Sequence, residues 1–124
     1  MGSRSATIRL YQCNIPLGRI DTLFLTHYHS DHTSGLADLW LTSLLRPPFG
    51  RRESALKVIG PRGAKALTTN LQAAYAQDIQ IRSTEKLVPK DASRLDTTEF
   101  DADGVVFDRD GVKVTAFEVD HGAT

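Results

Sequence analysis

The chain has 124 residues, fifteen basic and fifteen acidic, so its formal net charge is zero and no global field recruits nucleic acid or a membrane surface. The single cysteine excludes an internal disulfide and fits a reducing cytoplasm. No apolar run approaches the roughly 18–20 residues of a membrane span, and the length suits one domain with a real core.

In chain order, Met1-Gly2-Ser3-Arg4-Ser5 is small and polar, with no secretory signal visible; it fits an appended scar or the start of a shortened reading frame. Residues 6–19 are ambiguous: Ile8 and Leu10 alternate, and Pro16 and Gly18 then break the segment. Cys13 reads as a packing residue. Residues 20–26 read as a buried strand, short, apolar and partly β-branched or aromatic. That strand delivers Thr26-His27-Tyr28-His29-Ser30-Asp31-His32 at its C-terminal end, and residues 30–35 read as a loop. Leu36, Leu39, Trp40 and Leu44 then recur at helical spacing behind a Ser34 or Thr33 N-cap, with Trp40 in the core. Such a helix fixes the loop and turns its positive N-terminal end toward it.

Residues 46–52 form a loop, since Pro47-Pro48 stops the helix and Gly50 follows. Arg46, Arg51 and Arg52 around Phe49 could contact a phosphate backbone and stack a base, although a solvated loop is the simpler reading. A strand at 56–59 leads through Gly60-Pro61-Arg62-Gly63 into a helix whose apolar face is Ala64, Leu67, Leu71, Ala74 and Tyr75. The turn lacks the lysine-bearing pattern of a phosphate-binding loop. From 79 to 100 the pattern is thin, and Pro89 with scattered charge suggests extended segments and turns. Glu99, Asp101 and Asp103 read as an acidic patch facing water. Val105-Val106-Phe107 and residues 112–119 are two strands joined through Asp108-Arg109-Asp110-Gly111, a good hairpin turn. The second strand carries the chain to Asp120-His121.

The histidines decide the chemistry. Three of the four fall within residues 27–32 beside Asp31, and the fourth is His121. Side chains alternate in an extended segment, so His27 and His29 can face one ion from a strand end. His27, His29 and His121 would supply the three protein ligands of a catalytic zinc-like site. A turn after His29 would aim Asp31 and His32 at a second ion, about 3.5–4 Å from the first. The plain alternative is that Asp31 and His32 are hydrogen-bonded loop residues, and that His121, between Asp120 and Gly122, is an ordinary strand-end histidine.

The pattern His27-x-His29-x-Asp31-His32 after an apolar strand, followed by Thr33-Ser34-Gly35-Leu36, resembles the signature of metallo-β-lactamase-fold hydrolases. Lys57-Val58-Ile59-Gly60-Pro61 and Thr115-Ala116-Phe117-Glu118-Val119-Asp120-His121-Gly122 are similar to segments of the ribonuclease Z branch and its bacterial relatives. Ser30 stands where ribonuclease Z proper usually has glycine, which points to the broader group.

The resemblance implies an α/β (α+β) fold, an αββα sandwich with helices outside, a short helix within 6–19, and a metal site at one sheet edge. It implies that His27, His29 and His121 hold one zinc, that Asp31 and His32 hold another, and that Asp31 is catalytic through handling a proton. Two Zn2+ ions are implied for the full-length protein, with Mn2+ or iron as alternatives. Such ions polarise a scissile group and bring a water's pKa toward neutrality. The branch implies a cytoplasmic endonuclease of tRNA processing, homodimeric in full-length form, with an RNA or small-molecule substrate and no membrane. An ester, lactam or thioester stays open as the bond cleaved. Family members have earlier strands with a glycine-rich turn and an acid-glycine pair. They also carry a later bridging aspartate and a last histidine. Residues 1–124 lack these and read as one incomplete domain, the N-terminal half of a partial sandwich. A catalytically inactive metal-binding or partner-binding fragment is the alternative.

Overall fold

The computed structural model describes residues 5–122; the polar start at 1–4 and the last two residues lie outside the described residues. The order of elements is α1 (Ala6–Gln12), a 3-10 turn (Leu17–Arg19), β1 (Thr22–Phe24), α2 (Ser30–Thr33), α3 (Gly35–Ser43), β2 (Leu56–Pro61), α4 (Ala64–Ala74), α5 (Ala76–Thr84), β3 (Leu95–Phe100), β4 (Gly104–Arg109) and β5 (Val112–Ala116). The ambiguous N-terminal segment is thus helical, as the resemblance implied.

β2 lies between β1 and β3, and both pairings are parallel. Parallel strands need crossovers, which the helical segments α2–α3 and α4–α5 supply. β2 is the most buried strand, with Leu56 and Val58 fully buried, so it reads as a continuous apolar run. Leu23, Leu25, Leu36, Leu39 and Trp40 complete the core against it. Trp40 is therefore a core residue, and its indole Nε1 donates to the Ser93 carbonyl at 3.2 Å. β4 and β5 form a separate antiparallel hairpin, closed by Asp110 and Gly111, both at positive φ. That conformation suits the tight two-residue turn expected from Asp-Gly. Phe107 of β4 meets Phe24 of β1 edge-to-face at 5.6 Å, and Arg109 pairs with Asp21 at 3.1 Å, which seats the hairpin beside the sheet.

Several expectations need correction. Residues 30–35 are not a loop: α2 takes in Ser30 to Thr33 and α3 follows at once, with Ser34 helical and making no side-chain cap. Asp31 and His32 thus lie inside a helical turn. The 79–100 segment contains α5 and β3. α5 buries none of its residues fully, so no apolar stripe marks it; a two-pronged Arg82–Asp78 pair at i,i+4 supports it instead. β3 is polar, and its Thr97 hydroxyl meets the Thr68 hydroxyl at 2.8 Å. In α4 the buried face is Ala64 and Thr68 flanked by Leu67 and Leu71, whereas Ala74 and Tyr75 are exposed. Cys13 is exposed and does not pack.

The arginine loop is also not a uniform solvated patch. Phe49 stacks on Tyr11 at 5.7 Å, and Arg52 is buried at 2% exposure. Arg52 Nε donates to Ser43 Oγ at 2.7 Å and its Nη2 donates to the carbonyls of Leu17 and Ile20. Arg52 is a framework residue and cannot reach a phosphate. Two glycines permit this joint: a Cβ on Gly50 would stand 2.2 Å from the Ser43 carbonyl oxygen, and one on Gly18 would stand 2.7 Å from the Gly50 carbonyl oxygen.

Candidate metal centre

The sheet hands its chain off at one end. β1 ends at Phe24, Leu25 N still donates to the Ile59 carbonyl at 2.8 Å, and residues 26–29 then leave the sheet without regular secondary structure. The rings of His27 and His29 meet, whereas the Tyr28 hydroxyl reaches away to the Pro61 carbonyl. His29 starts α2, which turns Asp31 and His32 back toward His27. From the far side, the segment after β5 brings His121 to the same point.

The result is a four-histidine cluster. The ring centroids of His27 lie 4.8 Å from His29, 4.9 Å from His121 and 4.2 Å from His32. One nitrogen from each of His27, His29 and His121 can be chosen so that all lie within 4.8 Å of one another. Nε2 of His27 and Nδ1 of His29 already face each other at 3.0 Å. Nitrogens bound tetrahedrally at about 2.0–2.1 Å from a zinc-like ion stand roughly 3.3 Å apart, so the trio fits one divalent ion after a small inward adjustment. Thr26 Oγ1 lies 3.1 Å from Nδ1 of His27, an outer hydrogen bond that leaves Nε2 directed at the cluster. Asp31 Oδ2 lies 3.4 Å from Nε2 of His32. Those two side chains sit together at the edge of the trio, through the contact of His32 with His27.

Electrostatics favour the ligating form of His27. Partial burial, then the crowding of His32, His29 and His121, pulls its pKa below the ordinary histidine range, while Asp31 opposes the shift. A lowered histidine pKa means a neutral imidazole, the state that offers a lone pair to a metal. Beside the cluster opens a cleft of about 1060 Å³ lined by His29, Tyr28, Arg62, Phe117 and His121 among others. Phe117 is 70% exposed at its rim. The volume is at the upper end of the roughly 300–1,000 Å³ of small-molecule sites.

Two residues of this neighbourhood escaped the sequence reading. Glu99 does not simply face water: its Oε1 accepts from the backbone N–H of Gly63 at 2.8 Å and of Lys65 at 2.9 Å, at the start of α4. Those bonds, Lys65 first, hold its carboxyl below the ordinary glutamate range. Tyr28 donates its hydroxyl to the Pro61 carbonyl, and its ring lies against Gly63. Burial and then the nearby Glu99 raise the Tyr28 phenol's pKa. A signal did exist: α4 begins after glycine, so its free N–H groups called for a distant acceptor. Asp101 and Asp103 do lie exposed as expected, Asp101 near Arg62 and Asp103 accepting from the Glu118 N–H.

Comparison with known sequences supplies the family. The profile of the metallo-beta-lactamase superfamily matches residues 2–117. The chain belongs to the metallo-β-lactamase superfamily. Its mixed helices, parallel sheet and antiparallel hairpin are those of the α/β metallo-β-lactamase-type fold. Among curated relatives, Ribonuclease Z of Mycobacterium sp. (strain KMS) is 31% identical over 125 residues, covering 95% of this chain and 40% of that protein. Ribonuclease Z of Mycobacterium marinum is 32% identical over 102 residues, covering 82% of this chain and 36% of that protein. Ribonuclease Z of Mycobacterium avium reaches 34% over the same length. The chain thus spans about 40% of the length of the relatives it matches. The superfamily implies a divalent metal, and the histidine trio offers donors of the right chemistry. Among the described residues no helix is long and apolar enough to cross a membrane.

Proposed function

We propose that this chain carries part of the active site of a metal-dependent hydrolase that cleaves a phosphodiester, with RNA as its substrate class. The observation that carries the reading is the convergence of His27, His29 and His121 within 4.8 Å, from opposite ends of the sequence, at the mouth of a cleft. The ribonuclease Z relatives favour RNA as the substrate class; a cytoplasmic endonuclease of tRNA processing is the setting we propose with it. Phe117 at the rim offers a face for a base, and Arg62 offers a charge for a phosphate.

In this reading His27, His29 and His121 hold the first ion. Asp31 and His32 serve a second. Zinc is the preferred metal for three imidazoles, with Mn2+ or iron as alternatives. A divalent ion there supplies Lewis acidity toward the scissile group and lowers the pKa of water. The chain's own residues do the rest. Thr26 orients His27, and the cleft wall presents the phosphodiester to the histidines. Asp31 holds or passes a proton at Oδ2, next to His32 Nε2.

We propose further that residues 1–124 form one incomplete metallo-β-lactamase-like domain, the N-terminal half, whose remaining ligands lie in sequence that the relatives possess and this chain does not span. The coverage of about 40% of those relatives favours it. On this view the 124-residue chain by itself holds one ion and turns over little, and the full-length protein is a homodimer. A metal-binding or partner-binding fragment without activity is the competing reading.

Two measurements test the reading. Elemental analysis after exhaustive dialysis should find about one zinc per chain. The full-length protein should hydrolyse an activated phosphodiester and lose that activity on His29→Ala or Asp31→Ala. Unchanged turnover in both variants would overturn the assignment, and brisk turnover by the 124-residue chain would overturn the incomplete-site view.

A further inference from the structure

Tyr28 separates His27 from His29, and its side chain leaves the cluster in the opposite direction. Its hydroxyl donates to the carbonyl oxygen of Pro61, the last residue of β2. Its ring covers Gly63: a Cβ built there would meet Tyr28 Cε2 at 3.3 Å. Gly63 sits at φ +109°, a conformation L side chains rarely adopt, so the surface under the ring is bare for two independent reasons. The turn that receives Tyr28 is itself fastened, because Gly63 N and Lys65 N both donate to Glu99 Oε1 on β3. A continuous path therefore runs from the histidine loop through the β2–α4 turn to the third strand.

We propose that Tyr28 is a positioning residue for the metal centre, locking residues 26–29 onto the β2–α4 turn so that His27 and His29 are held in their ligating pose. The inference rests on the metal reading given above. Its physical basis is the hand-off at Leu25, the last residue before the cluster whose N–H bonds across to β2. Beyond it the pose of two ligands depends on side-chain anchors. When only a fraction of the population holds the ligating pose, the apparent metal affinity falls by that fraction. An anchor one residue from each ligand acts on both at once.

The experiment is a competition titration of Zn2+ against a chromophoric chelator, for the wild-type 124-residue chain, Tyr28→Phe and Tyr28→Ala. The melting temperature of each metal-free form and the visible absorption of each Co2+ form are recorded beside it. Tyr28→Phe keeps the ring on Gly63 and removes only the bond to Pro61, so zinc affinity should fall about fivefold, the scale of one neutral hydrogen bond. Tyr28→Ala removes both contacts and should fall tenfold to a hundredfold, roughly the range of changes just outside a metal's ligands. The Co2+ bands should shift in both, while the melting temperature of Tyr28→Phe stays near wild type. If Tyr28→Ala does not fold, the Tyr28→Phe comparison decides alone. Wild-type affinity and an unshifted Co2+ spectrum in Tyr28→Phe overturn the positioning role and leave the metal reading standing. A wild-type chain that binds neither ion overturns the metal reading itself, and this inference with it.

Discussion

Arg52 Nη2 donates to the Ile20 carbonyl oxygen at 2.6 Å, tying the approach to β1 to the approach to β2 through the protein interior. The same side chain donates to Ser43 Oγ and the Leu17 carbonyl. Its acceptors are neutral, and burial pulls its pKa down although Asp21 nearby opposes the shift; guanidinium stays charged regardless. Arg52→Met keeps volume but takes a donor away from three acceptors, the Ile20 carbonyl, the Leu17 carbonyl and Ser43 Oγ. We expect a loss on the order of 2–4 kcal/mol, read from urea unfolding, with Arg52→Lys recovering only part of it.

Gly50→Ala tests the adjacent close approach. The new methyl would stand 2.2 Å from Ser43 O and 2.5 Å from Ser43 C, both backbone atoms that cannot swing aside. The cost should be at least about 3 kcal/mol, at the upper end of overpacking penalties. Gly111→Ala is the contrast: its Cβ meets nothing within 4 Å, so only its positive φ of 78° penalises the change. Thermal melts of the two variants should rank Gly50→Ala far below Gly111→Ala.

Replacement of single histidines should separate the trio from its neighbour. His27→Ala, His29→Ala and His121→Ala each remove a donor from the group that converges within 4.8 Å, and zinc affinity should drop by more than about a hundredfold in each. His32→Ala removes the ring packed 4.2 Å from His27 but no member of the trio, and should cost about tenfold or less. Competitive zinc titration reads all four. Equal losses for His32 and His121 would refute the division into two ion sites.

Glu99 sets an acid limit on the turn under Tyr28. The N–H groups of Lys65 and Gly63 depress its pKa, so the folded state binds its proton less readily than the unfolded chain. Its contribution is therefore complete above the unfolded value of about 4.5 and is lost as pH falls below it, through the depressed folded value. Melting temperatures of wild type and Glu99→Gln should differ at pH 7 and converge as the medium is acidified past that point.

The sequence was legible where its chemistry was concentrated or its pattern periodic. The histidine cluster, the core role of Trp40, the hairpin turn at Asp110-Gly111 and the strand at β2 all follow from spacing and composition. It was opaque where stabilisation came from elsewhere. α5 has no buried stripe to announce it, and β3 is written in threonine and acid because its burial is slight. Arg52 read as a surface charge because its acceptors are backbone carbonyls more than thirty residues away. Glu99 read as solvated because the helix it caps lies 34 to 36 positions earlier.

His121 reaches the cluster on an arm: the hairpin holds to the sheet through Phe107 on Phe24 and Arg109 on Asp21, and the segment beyond β5 is fastened by the Glu118 N–H on Asp103. An ion shared by His29 and His121 would close a covalent circuit of roughly ninety residues, a constraint whose entropic weight grows with the length enclosed. On the metal reading, the hairpin's anchors would set the local concentration at which His121 meets the other two histidines. Metal loading and hairpin docking would then be one equilibrium seen from two sides, and amide exchange along Val112–Ala116 should slow when the ion is added.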